Sequence, residues 1–313
     1  MTKQKVLVIV GPTAVGKTAL SIDLAKEFSG EIISGDSLQV YRKLDIGTAK
    51  VTEAEKETIP HFLIDVKDAD ENYSAFEFKQ SAEKAIEEIS DRDHLPIIAG
   101  GTGMYIQSLL FDFQLGSPEE DKKAEAIRNN WEQFAKDEGK EALWNYLRKI
   151  DLKASESIHM NNEKRVIRAI EVFEKTGTSI LEQQGIDLAD LSQCQYDVKL
   201  IGLMTDRDLL YERINQRVDV MMASGLIDEA KYVLSLGKTQ ASQGIGYKEL
   251  FPYIRGDMSL DVAVDKVKQH SRQYAKRQLT WFKNRMTVEW FDVVQNPEEL
   301  EKIRESIQKW LTR

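Results

Sequence analysis

The sequence predicts an α/β fold: a parallel sheet flanked by helices, with an inserted all-helical domain. Three observations predict it. In the first third of the chain, apolar runs of strand length alternate with helix-length stretches, the pattern of a parallel sheet with crossover helices. Residues 11–18, Gly11-Pro12-Thr13-Ala14-Val15-Gly16-Lys17-Thr18, match the phosphate-binding pattern G-x-x-x-x-G-K-[ST] at every fixed position. From about residue 113 to 195 the strand pattern stops and sequence rich in Lys and Glu reads as helix throughout.

The elements follow in order. Val6–Val10 is an unbroken apolar run, as expected of a strand buried on both faces. The phosphate loop comes next, then a helix over Lys17–Phe28, so the motif has the strand–loop–helix context it needs. Glu31–Ser34 and Phe62–Asp65 are short strands. Ala75–Ser90 carries Phe76, Ala82, Ala85, Ile86 and Ile89 on a helical stripe. Pro96–Ala99 is a further strand, and the glycines of Gly100-Gly101-Thr102-Gly103 after it mark a tight turn or, as more glycines than a plain turn needs suggest, the close approach of a ligand. Beyond the helical insertion, Val198–Met204 returns to the sheet. Helices are expected at Asp208–Ser224, Ile227–Leu236 and Asp261–Asn284, then a strand at Val288–Val293 and a closing helix at Pro297–Leu311. The chain therefore divides into a P-loop core, 1–112 and 196–313, and a helical domain, 113–195. It has no internal repeat.

At 313 residues the chain is long enough for one large domain with an insertion. No apolar run approaches membrane-spanning length, and the N-terminus lacks a hydrophobic signal core, so a cytoplasmic location is expected. A single cysteine, Cys194, excludes an internal disulfide and a multi-cysteine zinc site. The net charge of −9 argues against bulk nucleic-acid affinity. The distribution argues for a local contact. Lys266, Lys268, Arg272, Lys276, Arg277, Lys283 and Arg285 fall in one segment that contains no Asp or Glu, which points to a polyanion.

The phosphate loop binds a di- or triphosphate. Its backbone N–H groups point inward at anionic oxygens, Lys17 reaches the outer phosphate and the Thr18 hydroxyl suits Mg²⁺. Asp36 lies just past the second strand, at the sheet edge where open α/β folds bind ligands. It suits a general base or a water-mediated metal contact, and equally a turn-capping residue. Thr102 sits in the glycine turn at the same edge. That turn stands where many P-loop NTPases carry an acid at a strand end, which weakens the case for ATP hydrolysis. Arg207 follows the strand Val198–Met204, where it either clamps a diphosphate or is solvated. Gln243-Gly244-Ile245-Gly246-Tyr247-Lys248 suits contact with unpaired bases. Tyr274–Phe282 is an amphipathic helix or, with its cations, a nucleic-acid face. His61, His94, His159 and His270 show no ligand spacing and read as structural.

Together these segments resemble one family, the bacterial tRNA dimethylallyltransferases, also called tRNA isopentenyltransferases. The matching pieces are GPTAVGKT at 11–18, SGDSLQVYRKLDIGTAK at 34–50, PHFLID at 60–65, GGTGMYIQSLL at 100–110, RVIRAIEVFEKTG at 165–177, GIGYKEL at 244–250 and YAKRQLTWFKNR at 274–285. The resemblance implies transfer of a dimethylallyl group from dimethylallyl diphosphate to the N6 amine of the adenosine 3′ to a tRNA anticodon, with Mg²⁺ assisting. It implies Asp36 as base, and Thr102 and Arg207 with residues 11–18 around the diphosphate, Thr18 holding the metal. It implies that Asp36, Ser37, Leu38 and Gln39 contact the flipped base. Asn161, Asn162, Glu163, Lys164 and Arg165, together with Ser242, Gln243, Gly244, Ile245, Gly246 and Tyr247, would contact the anticodon loop, with Lys276 and Arg277 on the backbone. Eukaryotic members carry a C₂H₂ zinc finger; the single cysteine here fits the bacterial form. A monomer is expected.

Three other readings share parts of this pattern. A P-loop small-molecule kinase shares the fold and the loop but has no use for the basic helix. A prenyltransferase acting on free adenine nucleotides shares the loop and Asp36 but not the RNA-contacting segments. A nucleic-acid-binding NTPase calls for a strand-end carboxylate that the sequence does not supply.

Overall fold

A computed structural model describes residues 3–113, 118–181 and 187–313. Residues 114–117 and 182–186 of the expected insertion lie outside the described residues. Two compact units are present, Met1–Phe113 with Leu188–Arg313, and Gln114–Asp187.

The first unit begins with β1 (Lys5–Val10), α1 (Lys17–Glu27), β2 (Gly30–Ser34), the short α2 (Glu53–Lys56), β3 (His61–Phe62), α3 (Ala75–Ser90), β4 (Leu95–Gly100) and α4 (Gly103–Leu110). The second unit holds α5 (Pro118–Ile150), α6 (Leu152–Ser157) and α7 (Glu163–Thr176). The first unit then resumes with β5 (Asp197–Leu203), α8 (Arg207–Ala223), α9 (Leu226–Ser235), α10 (Tyr247–Ile254), α11 (Leu260–Arg285), β6 (Glu289–Phe291) and α12 (Glu299–Leu311).

The six strands form one sheet in the order β3-β2-β4-β1-β5-β6. Every pairing is parallel. β1 lies inside the sheet, with Leu7 in register with Ile97 on one side and Lys199 on the other. Val6 to Val10 are fully buried, which is why the run shows no polar alternation. α1 and α12 help to close the layer below them through Leu20, Leu24, Ile303 and Ile307. The chain leaves β1 for β2 on one side and returns to β5 on the other. A crevice therefore opens at the carboxyl ends of the strands, the place where such sheets bind ligands.

That edge is tied together by backbone. The Gly35 N–H donates to Ala99 O at 2.8 Å, and the Thr102 N–H donates to Gly35 O at 3.3 Å. A Cβ at Gly100 would lie 2.3 Å from Gly35 O, so the ends of β2 and β4 approach closer than a side chain permits.

In the second unit α5 is broken at Gly139, whose φ is 88°. Leu143, Leu147, Val166, Ile167 and Ile170 form its core, with Trp131, Phe134 and Trp144 packed at the margin. Glu171 is fully buried there and is paired with Arg168 and Arg128.

Differences from the sequence expectation include the unexpected α2 and a β6 shorter than Val288–Val293, and three further elements show a physical cause. β3 stops at Phe62 rather than running to Asp65, because Leu63 and Asp65 take φ of 61° and 57° and turn the chain out of the ladder. The Asp65 carboxylate is held instead by the buried Lys50 at 2.6 Å. The glycine turn is also shorter than expected, since Gly103 opens α4. Met104–Leu110 has almost no polar face, so it showed no helical period. Likewise α10 begins inside the stretch expected as a loop.

Gly100→Ala tests the close edge. The added methyl must push backbone from backbone, so the urea midpoint should fall by the equivalent of about 1–3 kcal/mol. An unchanged midpoint would show that the β2 and β4 ends separate freely.

Candidate active site

The phosphate loop has the backbone its glycines foretold. Gly11 and Gly16 take φ of 149° and 109°, and Ala14 is driven to 65°. A Cβ at Gly11 would meet Leu203 O at 2.5 Å, so the loop must start with glycine to pass the end of β5. The Lys17 ammonium donates to Gly11 O at 3.0 Å and Pro12 O at 2.7 Å. Burial, and then the neighbouring Arg217, lower its pKa to about 7, with Asp36 pulling the other way. Burial likewise depresses Arg217.

Helices distant in sequence pin this loop. The Arg213 Nε donates to Ala14 O at 2.9 Å, and an Arg217 Nη donates to Thr13 Oγ1 at 3.2 Å, both from α8. From α11, the buried Gln278 accepts the Thr13 N–H at 2.9 Å and donates to Gly101 O at 3.1 Å. One amide thus joins the phosphate loop to the glycine turn.

A cavity of about 430 Å³ opens between these parts. Thr13, Lys17 and Thr18 line one end; Asp36, Ser37, Leu38 and Gln39 line another wall. Gly100 and Gly101 form part of the floor, with Arg217 from α8 and Tyr274 and Arg277 from α11. Gln243, Gly244, Ile245 and Gly246 line it too, as do Gly47, Thr48 and Ala49. The cavity brings one carboxylate, Asp36, against a cationic cradle. Asp36 Oδ1 accepts the N–H groups of Leu38 at 2.8 Å and Gln39 at 3.4 Å, so it caps its own turn and lines the cavity as well. Thr102 Oγ1 accepts the Ser37 N–H at 3.2 Å and orders the same turn. The Tyr274 phenol is kept neutral, its pKa pushed up by burial and by Asp36. Gln39 is held at both ends: Oε1 accepts from Ser34 Oγ at 3.0 Å, and Nε2 donates to Thr48 O and Ala49 O at 3.3 and 3.4 Å.

Three expected site residues, Arg207, Tyr247 and Ser242, do not line this cavity. Arg207 is exposed at the start of α8, with its guanidinium 5.1 Å from the Tyr211 ring centre, and is not among the residues lining this cavity. The cation that α8 delivers is Arg217, about 15 Å further along the helix axis. Tyr247 is fully buried, and its hydroxyl donates to Glu229 at 2.7 Å, so it offers no ring for a base to stack on. Ser242 is also buried, donating to Thr239 O at 2.7 Å.

Asn161 to Arg165 belong to the second unit, at the start of α7, and all but the half-buried Glu163 are exposed. On α11, Lys276 is exposed, whereas Lys268 pairs with Asp219 at 2.6 Å and Arg272 donates to Asn215 at 2.6 Å. The histidines keep structural partners, such as Glu31 for His94 and Glu249 for His270. Cys194 is buried, and burial pushes its thiol up to about 11. Sequence reasoning missed Arg217, Gln278 and Tyr274. The only signal was their spacing on long helices, and that reveals a face without saying what the face meets.

This architecture is that of a P-loop NTPase-like α/β protein with its ligand site at the carboxyl edge of the sheet, one acid facing the loop. Within that class the chain belongs to the IPP transferase family, whose model matches residues 39–285. A tRNA dimethylallyltransferase of Enterococcus faecalis is 59% identical over 308 residues, 98% of each chain. One from Limosilactobacillus reuteri is 52% identical over 311 residues, 99% of each. Among solved structures, the tRNA isopentenylpyrophosphate transferase of Bacillus halodurans matches with a TM-score of 0.73 at 46% identity, covering 99% of this chain and 97% of that one. A eukaryotic dimethylallyltransferase acting on tRNA matches with a TM-score of 0.77 at 29% identity, covering 96% of this chain and 77% of that one.

The depressed Lys17 makes anion binding proton-linked. An anion on the loop favours charged lysine and raises its pKa again. Near pH 8 the ligand-free lysine is mostly neutral, its pKa being about 7, so diphosphate binding should take up a proton there. Near pH 6 the lysine is already charged and the uptake vanishes. Titration calorimetry in buffers of different ionisation enthalpy measures this, with Lys17→Met as the reference. Equal uptake by both proteins at the higher pH would remove Lys17 as the linked group.

Proposed function

We infer that this protein transfers the dimethylallyl group of dimethylallyl diphosphate to the exocyclic N6 amine of the adenosine 3′-adjacent to the anticodon in tRNA, releasing diphosphate. One observation carries the reading at this site: among the described residues one carboxylate, Asp36, and the cationic phosphate cradle line a single cavity. The relatives' shared name, tRNA dimethylallyltransferase, supports it.

The chemistry needs both halves. The adenine N6 lone pair is delocalised into the ring, so the amine is a weak nucleophile. As N6 forms a bond to the allylic C1, the bond from C1 to the diphosphate oxygen breaks. Asp36 takes the proton that N6 loses. Its turn, fixed by Leu38, Gln39 and Thr102, holds it for that task. Charge gathers on the leaving oxygen, and the loop N–H groups, Lys17 and Arg217 stabilise it. Arg217 takes the role that the resemblance assigned to Arg207. The target base must leave the anticodon-loop stack, which costs a few kcal/mol. The wall of Ser37, Leu38 and Gln39 and the loop 243–246 would receive it.

The donor set also fits Mg²⁺. Among the described residues no three His, Cys, Asp or Glu side chains gather as a metal site. Mg²⁺ commonly relies on one or two protein ligands and takes the rest of its shell from phosphate and water. Thr18 would hold it, with Asp36 as the carboxylate that lines the cavity among the described residues. When bound, the ion would neutralise diphosphate charge.

Asn161–Arg165, Gln243–Gly246, Lys276 and Arg277 are our candidates for contacts with the anticodon stem-loop. Among the described residues no helix is long and apolar enough to cross a membrane. We take the protein to act as a cytoplasmic monomer.

The test is a transfer assay with labelled dimethylallyl diphosphate and Mg²⁺, offering unmodified tRNA or AMP, with ATP and shikimate as a kinase control. Label in tRNA alone, at the base 3′ to the anticodon, is expected. Label in AMP, or phosphoryl transfer from ATP without prenyl transfer, would overturn the reading. Asp36→Asn should lower turnover by about 10²–10⁴-fold while tRNA affinity holds. Loss of tRNA binding with unchanged turnover per bound complex would remove Asp36 as the base. Lys276→Ala should weaken tRNA binding and reduce the slope of log K against log salt by about 1. An unchanged slope would mean that Lys276 faces away from the RNA.

A further inference from the structure

Glu229 lies on α9, outside every motif read from the sequence. Its carboxylate receives four hydrogen bonds. The N–H groups of Asp45 and Ile46 donate to Oε2, both at 2.8 Å, and that of Gly47 donates to Oε1 at 2.8 Å. The Tyr247 hydroxyl donates to Oε1 at 2.7 Å. Successive N–H groups converging on one point make a concavity that suits an anion. Here the protein fills it with its own carboxylate, through charge-assisted bonds of the strong kind.

What hangs on this anchor is a wall of the cavity. Gly47, Thr48 and Ala49 line it, and Thr48 O and Ala49 O hold the Gln39 amide. Tyr247 acts as the spacer. A Cβ at Gly47 would come within 2.7 Å of its ring, and a Cβ at Gly244 within 2.9 Å. The phenol is therefore wedged between two glycine walls that both line the cavity. The donor end is supported separately: the phosphate loop is pinned by Arg213, Arg217 and Gln278.

We propose that Glu229 is a positioning residue for the acceptor adenine, fixing the 45–49 wall and through it Gln39, with Tyr247 setting the width of the slot. This rests on the tRNA prenyl-transfer reading. It assigns the acceptor half of the site a support that the donor half does not share.

The substrates separate this role from a general structural one. With an anticodon stem-loop as acceptor, Glu229→Gln should raise KM for the stem-loop by about tenfold or more and leave KM for dimethylallyl diphosphate unchanged. Tyr247→Phe, which removes one hydrogen bond and keeps the wedge, should raise the same KM by about threefold. It also keeps the test alive if Glu229→Gln fails to fold. A fall in kcat with both KM values unchanged in these variants would reduce Glu229 to a fold contact and overturn the proposal.

Amide hydrogen exchange on substrate-free protein gives an independent readout. The N–H groups of residues 45–47 should be protected in the wild type and exchange about tenfold faster or more in Glu229→Gln. Unchanged exchange would overturn the anchor whatever the activity. If exchange responds as expected but the wild type does not modify the stem-loop, the transfer reading has failed and the anchor stands.

Discussion

The site depends on keeping two cations close together where water is scarce. Lys17 and Arg217 share one end of the cavity, and burial depresses the pKa of both. Left to themselves they would repel and hydrate. The protein restrains them by turning the Gly11 and Pro12 carbonyls onto the ammonium and the Thr13 hydroxyl onto the guanidinium. The left-handed backbone at Gly11, Ala14 and Gly16 makes those carbonyls and the opposing N–H groups available at once. In the proposed reaction a diphosphate entering the loop would supply the missing negative charge and turn the repulsion into selectivity for a highly charged anion. Asp36 is the one acid lining the cavity among the described residues, and in the proposed transfer it would take the proton that the acceptor amine loses.

Topology turns this local requirement into a site. In a parallel sheet, each strand delivers its following loop to the same edge. The ends of β1, β2 and β4 therefore bring the phosphate loop, the Asp36 turn and the glycine turn together, although residues 11 to 101 separate them in the chain. The close contact between Gly100 and Gly35 keeps two of those turns side by side. Gln278 then links the remaining pair, from a helix that follows nearly the whole chain. Carrying both a donor and an acceptor, an amide can join a backbone N–H to a backbone carbonyl, which neither an acid nor a cation can do.

The parts of the protein legible in the sequence are those whose chemistry is set by near neighbours. The phosphate loop is one contiguous stretch, and Asp36 is located by the strand just before it. Six strands and most helices followed from apolar runs and period. What was hidden depended on distant partners. Arg207 and Arg217 are the same residue type on the same helix, and only packing decides which of them faces the cavity. Tyr247 reads as a stacking ring beside glycines, yet Glu229, eighteen residues earlier in the chain, draws it inward. α4 escaped because burial on nearly all sides erases the amphipathic period. β3 shortened because two residues with positive φ, Leu63 and Asp65, were invisible as such in the sequence.

The basic helix α11, which carries no acid from Lys266 onward, shows how one element serves several constraints at once. On α11, Lys268 and Arg272 face partners on α8, and Tyr274, Arg277 and Gln278 line the cavity. Lys266 and Lys276 stay exposed. An acid on the cavity side would lie near Asp36 and the diphosphate; one on the outer side would repel RNA phosphates. On the proposed reading, both faces would exclude negative charge from Lys266 onward, for unrelated reasons. The rest of the chain carries a net excess of acids, the total being −9. On the proposed reading a polyanion would be repelled by most of the surface and drawn to one helix. In the proposed transfer, sequence-independent attraction would act as a device for orientation, bringing the RNA to the face where an unstacked base can meet Asp36.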